Sequence, residues 1–367
     1  MKIGDLQYQS IWLDSNDDTS VRVIDQRLLP FELKIVSITS VEETFRAISN
    51  MTLRGAPLIG AAGAFGMYLA TLEITSRTRI KEHLETAARY LISSRPTAVN
   101  LEWAVGRQLK FLTGLDSKKE LIEKSRKLAL EITEKEIDNC KLIGEQGLPL
   151  IEELSKHKAG ETVNILTHCN AGWLACVDYG TATAPIYMAH DKGIKVHVWV
   201  DETRPRMQGA RLTAYELGSH GVPHTLITDN AGGHLMQKGE VDMVIVGSDR
   251  TTARGDVANK IGTYLKALAA RDNNIPFYAA LPCSSIDRSI SDGLEEIVVE
   301  ERDEKEVTHI EGAYKDQVIE LRLAPEATRA SNFGFDITPA RLITGIITEK
   351  GIIDASVQGI SSLFTDK

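Results

Sequence analysis

The feature that most restricts the fold of this chain is a change of hydrophobic period near residue 160. Beyond it, short apolar runs at 163–167, 195–200, 224–228, 243–247, 277–281 and 296–300 are mostly separated by helical stretches of crossover length. Strands alternating with helices predict an α/β unit built on a doubly wound, mainly parallel, Rossmann-like sheet. Open sheets of this kind bind ligands at the carboxyl ends of their strands, so the residues just after each run are the first candidates for function.

The first 36 residues alternate apolar and polar positions around a polar turn at 14–18, which predicts a small antiparallel sheet. From Ser40 the pattern turns helical, with Glu43 placed as in a capping box. Residues 55–71 then carry no charge over seventeen positions. Their Gly and Ala content, and the flanking Arg54 and Glu73, predict a tightly packed buried helix rather than a membrane span. Gly60, Gly63 and Gly66 each cost about 1 kcal/mol against Ala inside a helix, so close approach of another backbone is expected there. A charged helical region follows from 117 to about 154. The Gly147-Leu148-Pro149 step and the polar stretch 155–160 predict a boundary between a mostly helical domain, 1–155, carrying the small sheet, and a Rossmann-like catalytic domain, 156–367. A chain of 367 residues is long for one core, which agrees with two domains.

A net charge of −9 does not suit a protein that holds nucleic acid or anionic membrane through its bulk charge, so any phosphate site must be local. The four cysteines lack C-x-x-C spacing and no secretory segment precedes the body of the chain, which predicts reduced thiols in the cytoplasm. The dinucleotide fingerprint is missing after the first strand, and neither zinc spacing nor a Ser-His-Asp pattern is present.

Two reactive groups end strands of the expected sheet. Cys169 follows the first, in a turn Asn170-Ala171-Gly172 that should open a helix, and Asp249 follows the fourth. Parallel strands would bring both to one crevice. The polar loop 201–211 lies between them in sequence. Arg54 at the mouth of the glycine-rich helix, Arg95 in a non-helical stretch, and Asn259 with Lys260 at another helix start could each meet a phosphate or hydroxyls. His168 is expected to be structural, since adjacent strand residues point to opposite faces. Cys140 is expected to be inert, and Cys176 and Cys283 receive no role.

Taken together, Arg54-Gly-Ala-Pro-Leu-Ile-Gly60, Thr167-His-Cys-Asn-Ala-Gly172, the run from Asp201 to Arg211, Gly247-Ser-Asp-Arg250, Asn259-Lys-Ile-Gly-Thr263 and Phe335-Asp-Ile-Thr-Pro339 resemble the methylthioribose-1-phosphate isomerase family of methionine salvage, nearly end to end. The wider family also holds ribose-1,5-bisphosphate isomerases and regulatory subunits of a eukaryotic translation-initiation exchange factor. The resemblance implies Cys169 and Asp249 as the catalytic pair, and Arg54, Gly55, Ala56, Arg95, Gln208, Asn259 and Lys260 as the substrate holders. It also implies a homodimer, no metal and no redox cofactor. Ser248 stands where the family pattern often has Ala, a departure that leaves the aspartate in place.

The chemistry agrees with that implication. An aldose 1-phosphate has its anomeric oxygen esterified, so its ring cannot open by the hemiacetal route. An acid must protonate the ring oxygen as the C1–O4 bond breaks, a role open to a protonated Asp249. Cys169 near C1 and C2 would then shuttle a proton through a phosphoenolate, or stabilise a charge-deficient carbon while hydride moves from C2 to C1. Alternative readings are the same reaction on 5-deoxyribose 1-phosphate or ribose 1,5-bisphosphate, and a catalytically silent regulatory subunit.

Overall fold

The computed structural model describes residues 1–4, 6–95, 98–315 and 317–365. Strands β1 (Ile11–Leu13), β2 (Val21–Ile24) and β3 (Ile35–Ile38) form the expected antiparallel sheet. Helices α1 (Val41–Ser49), α2 (Ala56–Leu72), α3 (Ile80–Ser93), α4 (Val99–Leu112) and α5 (Lys118–His157) follow. The Ser40 hydroxyl caps α1 by accepting from the Glu43 N–H.

α2 is apolar on every side because α1, α3, α4 and α5 all pack on it. Its glycines serve that packing: a Cβ on Gly60 would lie 3.1 Å from the Asn100 carbonyl oxygen, and one on Gly63 would lie 2.6 Å from Leu101 Cδ1. No helix among the described residues is long and apolar enough to cross a membrane.

Gly147 and Pro149 do not interrupt the chain. α5 runs through both for 40 residues, and a Cβ at 147 would lie 3.0 Å from the Pro185 ring, so the glycine serves close helix packing instead. One core gathers α1 to α4, the first half of α5 and the small sheet; a second takes the end of α5 with residues of the large sheet, and also Ile24 and Leu29.

The large sheet contains β4 (Val163–Thr167), β5 (Val196–Asp201), β6 (His224–Ile227) and β7 (Met243–Val246). After β7 come β8 (Arg250–Thr252), β9 (Val257–Lys260), β10 (Phe277–Ala280) and β11 (Ile286–Asp287). A hairpin, β12 (His309–Tyr314) with β13 (Gln317–Arg322), precedes β14 (Phe335–Thr338), β15 (Gly345–Thr348) and β16 (Gly351–Ile353). The seven-stranded sheet has the order β16-β15-β10-β7-β4-β5-β6, parallel except for β16. A four-stranded sheet, β11-β8-β9-β14, stands beside it.

Three expectations are corrected here. Residues 296–300 form no strand: the Asp292 side chain accepts from the N–H groups of Leu294 and Glu295 and starts a helical turn, Gly293–Glu296. Val298 is left 75% exposed, and β15 takes the place beside β10. Asn259 and Lys260 belong to β9, not to a helix start. Asn170 to Gly172 lead into an irregular loop with one 3₁₀ turn, Trp173–Ala175, before the next full helix, α6 (Ala184–Asp191).

Candidate active site

β4 lies at the switch point of the large sheet. The chain leaves it outward through β5 and β6, then returns to β7 on its other side. The loops after β4 and β7 therefore diverge over one crevice. Cys169 leaves β4 and Asp249 leaves β7, and both line a cleft of about 590 Å³ counting its mouth. All nine residues expected at the site line it: Arg54, Gly55, Ala56, Arg95, Cys169, Gln208, Asp249, Asn259 and Lys260.

Each comes from a different device. Gly55 is the N-cap of α2 with φ 100°, and a Cβ there would sit 2.3 Å from the Ala175 carbonyl oxygen, so only glycine lets the helix start meet the cleft. Arg54 lies under the Cys169 loop: its Nη2 donates to the Asn170 carbonyl at 2.8 Å and its Nη1 to the Asn170 side-chain oxygen. Arg95 follows α3, where it ion-pairs with Glu300 at 3.3 Å; Pro96 and Thr97 lie outside the described residues. Asn259 donates to the Thr263 hydroxyl at 3.0 Å. The buried amide oxygen of Gln208 has no partner among the described residues.

Cys169 has φ 64°, unusual for a residue with a side chain, and its backbone is clamped on both sides. Its N–H donates to the Thr203 hydroxyl at 2.8 Å, and its carbonyl accepts from the Thr213 hydroxyl at 2.6 Å. This turn holds a thiol that is only 8% exposed on the cleft wall. Burial pushes the thiol pKa up, against the pull of Arg54 and Lys260, so it stays a thiol at neutral pH.

Asp249 is half-buried. Its N–H donates to the Ala258 carbonyl at 2.9 Å, which ties the loop to β9. The neighbouring Arg250 pairs with Asp287, leaving the Asp249 carboxyl without an ion-pair partner among the described residues. Burial raises its pKa, opposed by Lys260, Arg54 and Arg95. Lys260, 8% exposed, has its ammonium 4.9 Å from the centre of the Phe335 ring and, among the described residues, no carboxylate within ion-pairing distance. Burial lowers its pKa, while Cys169 and Asp249 act to raise it. The cleft thus holds a neutral thiol, a carboxyl that keeps its proton more readily than usual and a group of cations beside a helix start.

His168 is not among the residues lining the cleft and bridges Asp201 at 2.9 Å and the Ile261 carbonyl at 2.8 Å. With Asp201 and Asp229 it has the spacing of metal ligands, but the Lys266 ammonium stands 3.1 Å from Asp201 and satisfies that charge. Sequence reasoning gave Cys176 no role, yet it lines the cleft wall, packed against Cys140. Met51, Thr181, Pro282 and Phe335 also line the cleft, brought there by tertiary packing. Only Phe335 had a sequence signal, its place in the run Phe335-Asp-Ile-Thr-Pro339.

The model of the initiation factor 2 subunit family matches residues 52–355. The chain belongs to that family. Within it, the chain is 56% identical over the whole length of both sequences to the methylthioribose-1-phosphate isomerase of Desulfatibacillum aliphaticivorans. It also resembles the crystal structure of 5-methylthioribose 1-phosphate isomerase from Pyrococcus horikoshii OT3, with TM-score 0.83 and 39% identity, covering 99% of this chain and 97% of that one. The crystal structure of translation initiation factor eIF-2B, subunit delta, from A. fulgidus is similar too, with TM-score 0.78 and 36% identity over 97% of this chain and 100% of that one. Family membership by itself therefore spans proteins named as enzymes and proteins named as initiation-factor subunits, and the site must separate them.

Proposed function

We propose that the chain is an aldose–ketose isomerase that converts 5-methylthioribose 1-phosphate to 5-methylthioribulose 1-phosphate in methionine salvage. The observation that carries the reading is the pairing of Cys169 and Asp249 in one cleft with Arg54, Arg95 and Lys260. A catalytically silent subunit needs no such pairing.

In this mechanism Arg54, Arg95, Lys260 and the α2 start at Gly55 and Ala56 hold the phosphate. The incoming dianion raises the proton affinity of Asp249 further and favours the charged form of Lys260. Asp249 gives its proton to the ring oxygen as the C1–O4 electron pair moves to O4. Gln208 and Asn259 orient the hydroxyls. A thiol kept neutral by burial is a poor base for the C2 proton, which favours direct hydride transfer from C2 to C1 beside Cys169. The O2–H proton then passes to the Asp249 carboxylate, restoring the acid and leaving the C2 ketone. No redox cofactor enters this balance.

The test is steady-state kcat/KM on 5-methylthioribose 1-phosphate, 5-deoxyribose 1-phosphate and ribose 1,5-bisphosphate. The first should be turned over best, with 5-deoxyribose 1-phosphate within ~10–200-fold, the range a hydrophobic pocket gives for a small apolar group. No turnover of any of the three would refute the isomerase reading. The same proposal includes a cytoplasmic homodimer. Its supports are the four free cysteines and the exposed Leu226 on edge strand β6, with Leu265 and Leu268 on the helix Thr263–Asp272. Sedimentation velocity should give twice the chain mass.

A further inference from the structure

Behind the cleft, Glu216 on the helix Ala214–His220 is fully buried, and no Lys, Arg or His among the described residues lies within ion-pairing distance of its carboxyl. Such a group is expensive to keep unless several donors meet it. Three do. The Leu174 N–H donates to Oε1 at 2.7 Å, the Asn170 side-chain amide donates to Oε1 at 3.1 Å, and the Tyr187 hydroxyl donates to Oε2 at 3.2 Å. Gly172 makes room for it, since a Cβ there would lie 1.6 Å from Oε2.

The Asn170 amide has two distinct ends. Arg54 can only donate, so it fixes the oxygen end, while Glu216 and the Thr213 hydroxyl, 3.2 Å away, take the NH₂ end. Thr213 in turn donates to the Cys169 carbonyl. Glu216 is therefore joined to Arg54 through one amide, and to the left-handed turn of Cys169 through that amide and one hydroxyl. Burial pushes the Glu216 pKa up to about 7, against the hydrogen bonds from Leu174 and Asn170, and either form of the carboxyl offers Oε1 as an acceptor that polarises the amide and strengthens its oxygen as an acceptor for the guanidinium.

We infer that Glu216 is a positioning residue: acting through Asn170, it holds the Arg54 guanidinium in the orientation that receives the substrate's phosphate. The inference rests on the proposed phosphate role of Arg54. An equal-sized glue residue would stabilise the fold without tuning anion affinity.

The experiment compares wild type, Glu216→Leu and Glu216→Gln for calorimetric affinity toward inorganic phosphate, and for KM and kcat on 5-methylthioribose 1-phosphate. Glu216→Leu should weaken phosphate binding and raise KM by roughly 10-fold, the size of losing a hydrogen bond to a charged group, with a smaller fall in kcat. Glu216→Gln keeps an acceptor for Leu174 and Asn170 and should recover most of the loss. A folded Glu216→Leu with phosphate affinity and KM within about twofold of wild type overturns the inference, as does a wild type that binds no phosphate. If Glu216→Leu does not fold, Asn170→Ala cuts the same link, and unchanged phosphate affinity in that variant is equally decisive against it. Phosphate binding needs no turnover. Loss of affinity in the variants of a chain that converts no sugar phosphate would defeat the isomerase reading and leave the positioning role standing.

Discussion

Cys169 and Asp249 leave neighbouring parallel strands on the two sides of the sheet's switch point. Leu166 in β4 is in register with Val244 in β7, and the Thr167 hydroxyl donates to the Ile245 carbonyl at 2.8 Å. Two residues far apart in the chain thereby sit a few positions past one pair of hydrogen-bonded strands, which suits groups that must act on adjacent atoms of one sugar.

Asp249→Asn removes the proposed proton donor with little change in shape. kcat for 5-methylthioribose 1-phosphate should fall by at least ~10²-fold with KM nearly unchanged. Near-normal turnover in a folded variant would remove Asp249 from the mechanism.

Cys169→Ser keeps the clamped turn and should bind substrate while being nearly inactive. In the wild type, a thiol raised by burial should react slowly with iodoacetamide at pH 7 and faster as the pH rises. Turnover in deuterium oxide separates the two carbon chemistries: hydride transfer leaves C1 of the product free of deuterium, whereas a phosphoenolate acquires it.

The pH profile of kcat/KM follows from two shifts. Asp249, raised, must be protonated, and Lys260, lowered, must be charged, so activity is lost as pH rises through either value. Lys260→Met should raise KM by roughly 10-fold or more and move the Asp249 limb to higher pH, since the ammonium no longer opposes protonation of that carboxyl. A profile that climbs steadily from pH 7 to 10 contradicts both assignments.

Glu136 in α5 is buried with one carboxylate oxygen unpartnered among the described residues, and burial, then Glu349, pushes its pKa from 4.5 up to about 7. A folded-state pKa above the unfolded one means that its contribution is fully present below about pH 4.5 and lost as pH rises through about 7. The loss is on the order of 3 kcal/mol for a shift of this size. Glu136→Gln should therefore flatten the fall in denaturant-derived stability between pH 5 and 8. An unchanged slope would mean that the carboxyl is solvated.

Gly55→Ala should destabilise the chain by roughly 1–3 kcal/mol, since its φ of 100° and the Ala175 carbonyl leave no space for a methyl group. A thermal melt within 1 °C of wild type would show that the helix start can shift without cost.

The sequence by itself determined the period of each major element, hence the helical region, the parallel sheet and the placement of Cys169 and Asp249 at strand ends. Those are local properties: a strand's alternation and the turn that follows it are written within about ten residues. It misplaced what depends on competition between distant segments. Residues 296–300 look like a strand, but β15 occupies the site beside β10. Lys260 looks like a helix-start residue, but β14 pairs with β9 and turns its ammonium into the cleft beside Phe335. Only the tertiary structure could reveal the link from Glu216 through Asn170 to Arg54. The direction of an amide and the proton affinity of a buried carboxyl are decided by the burial and the partners that packing supplies, and no spacing along the chain encodes them.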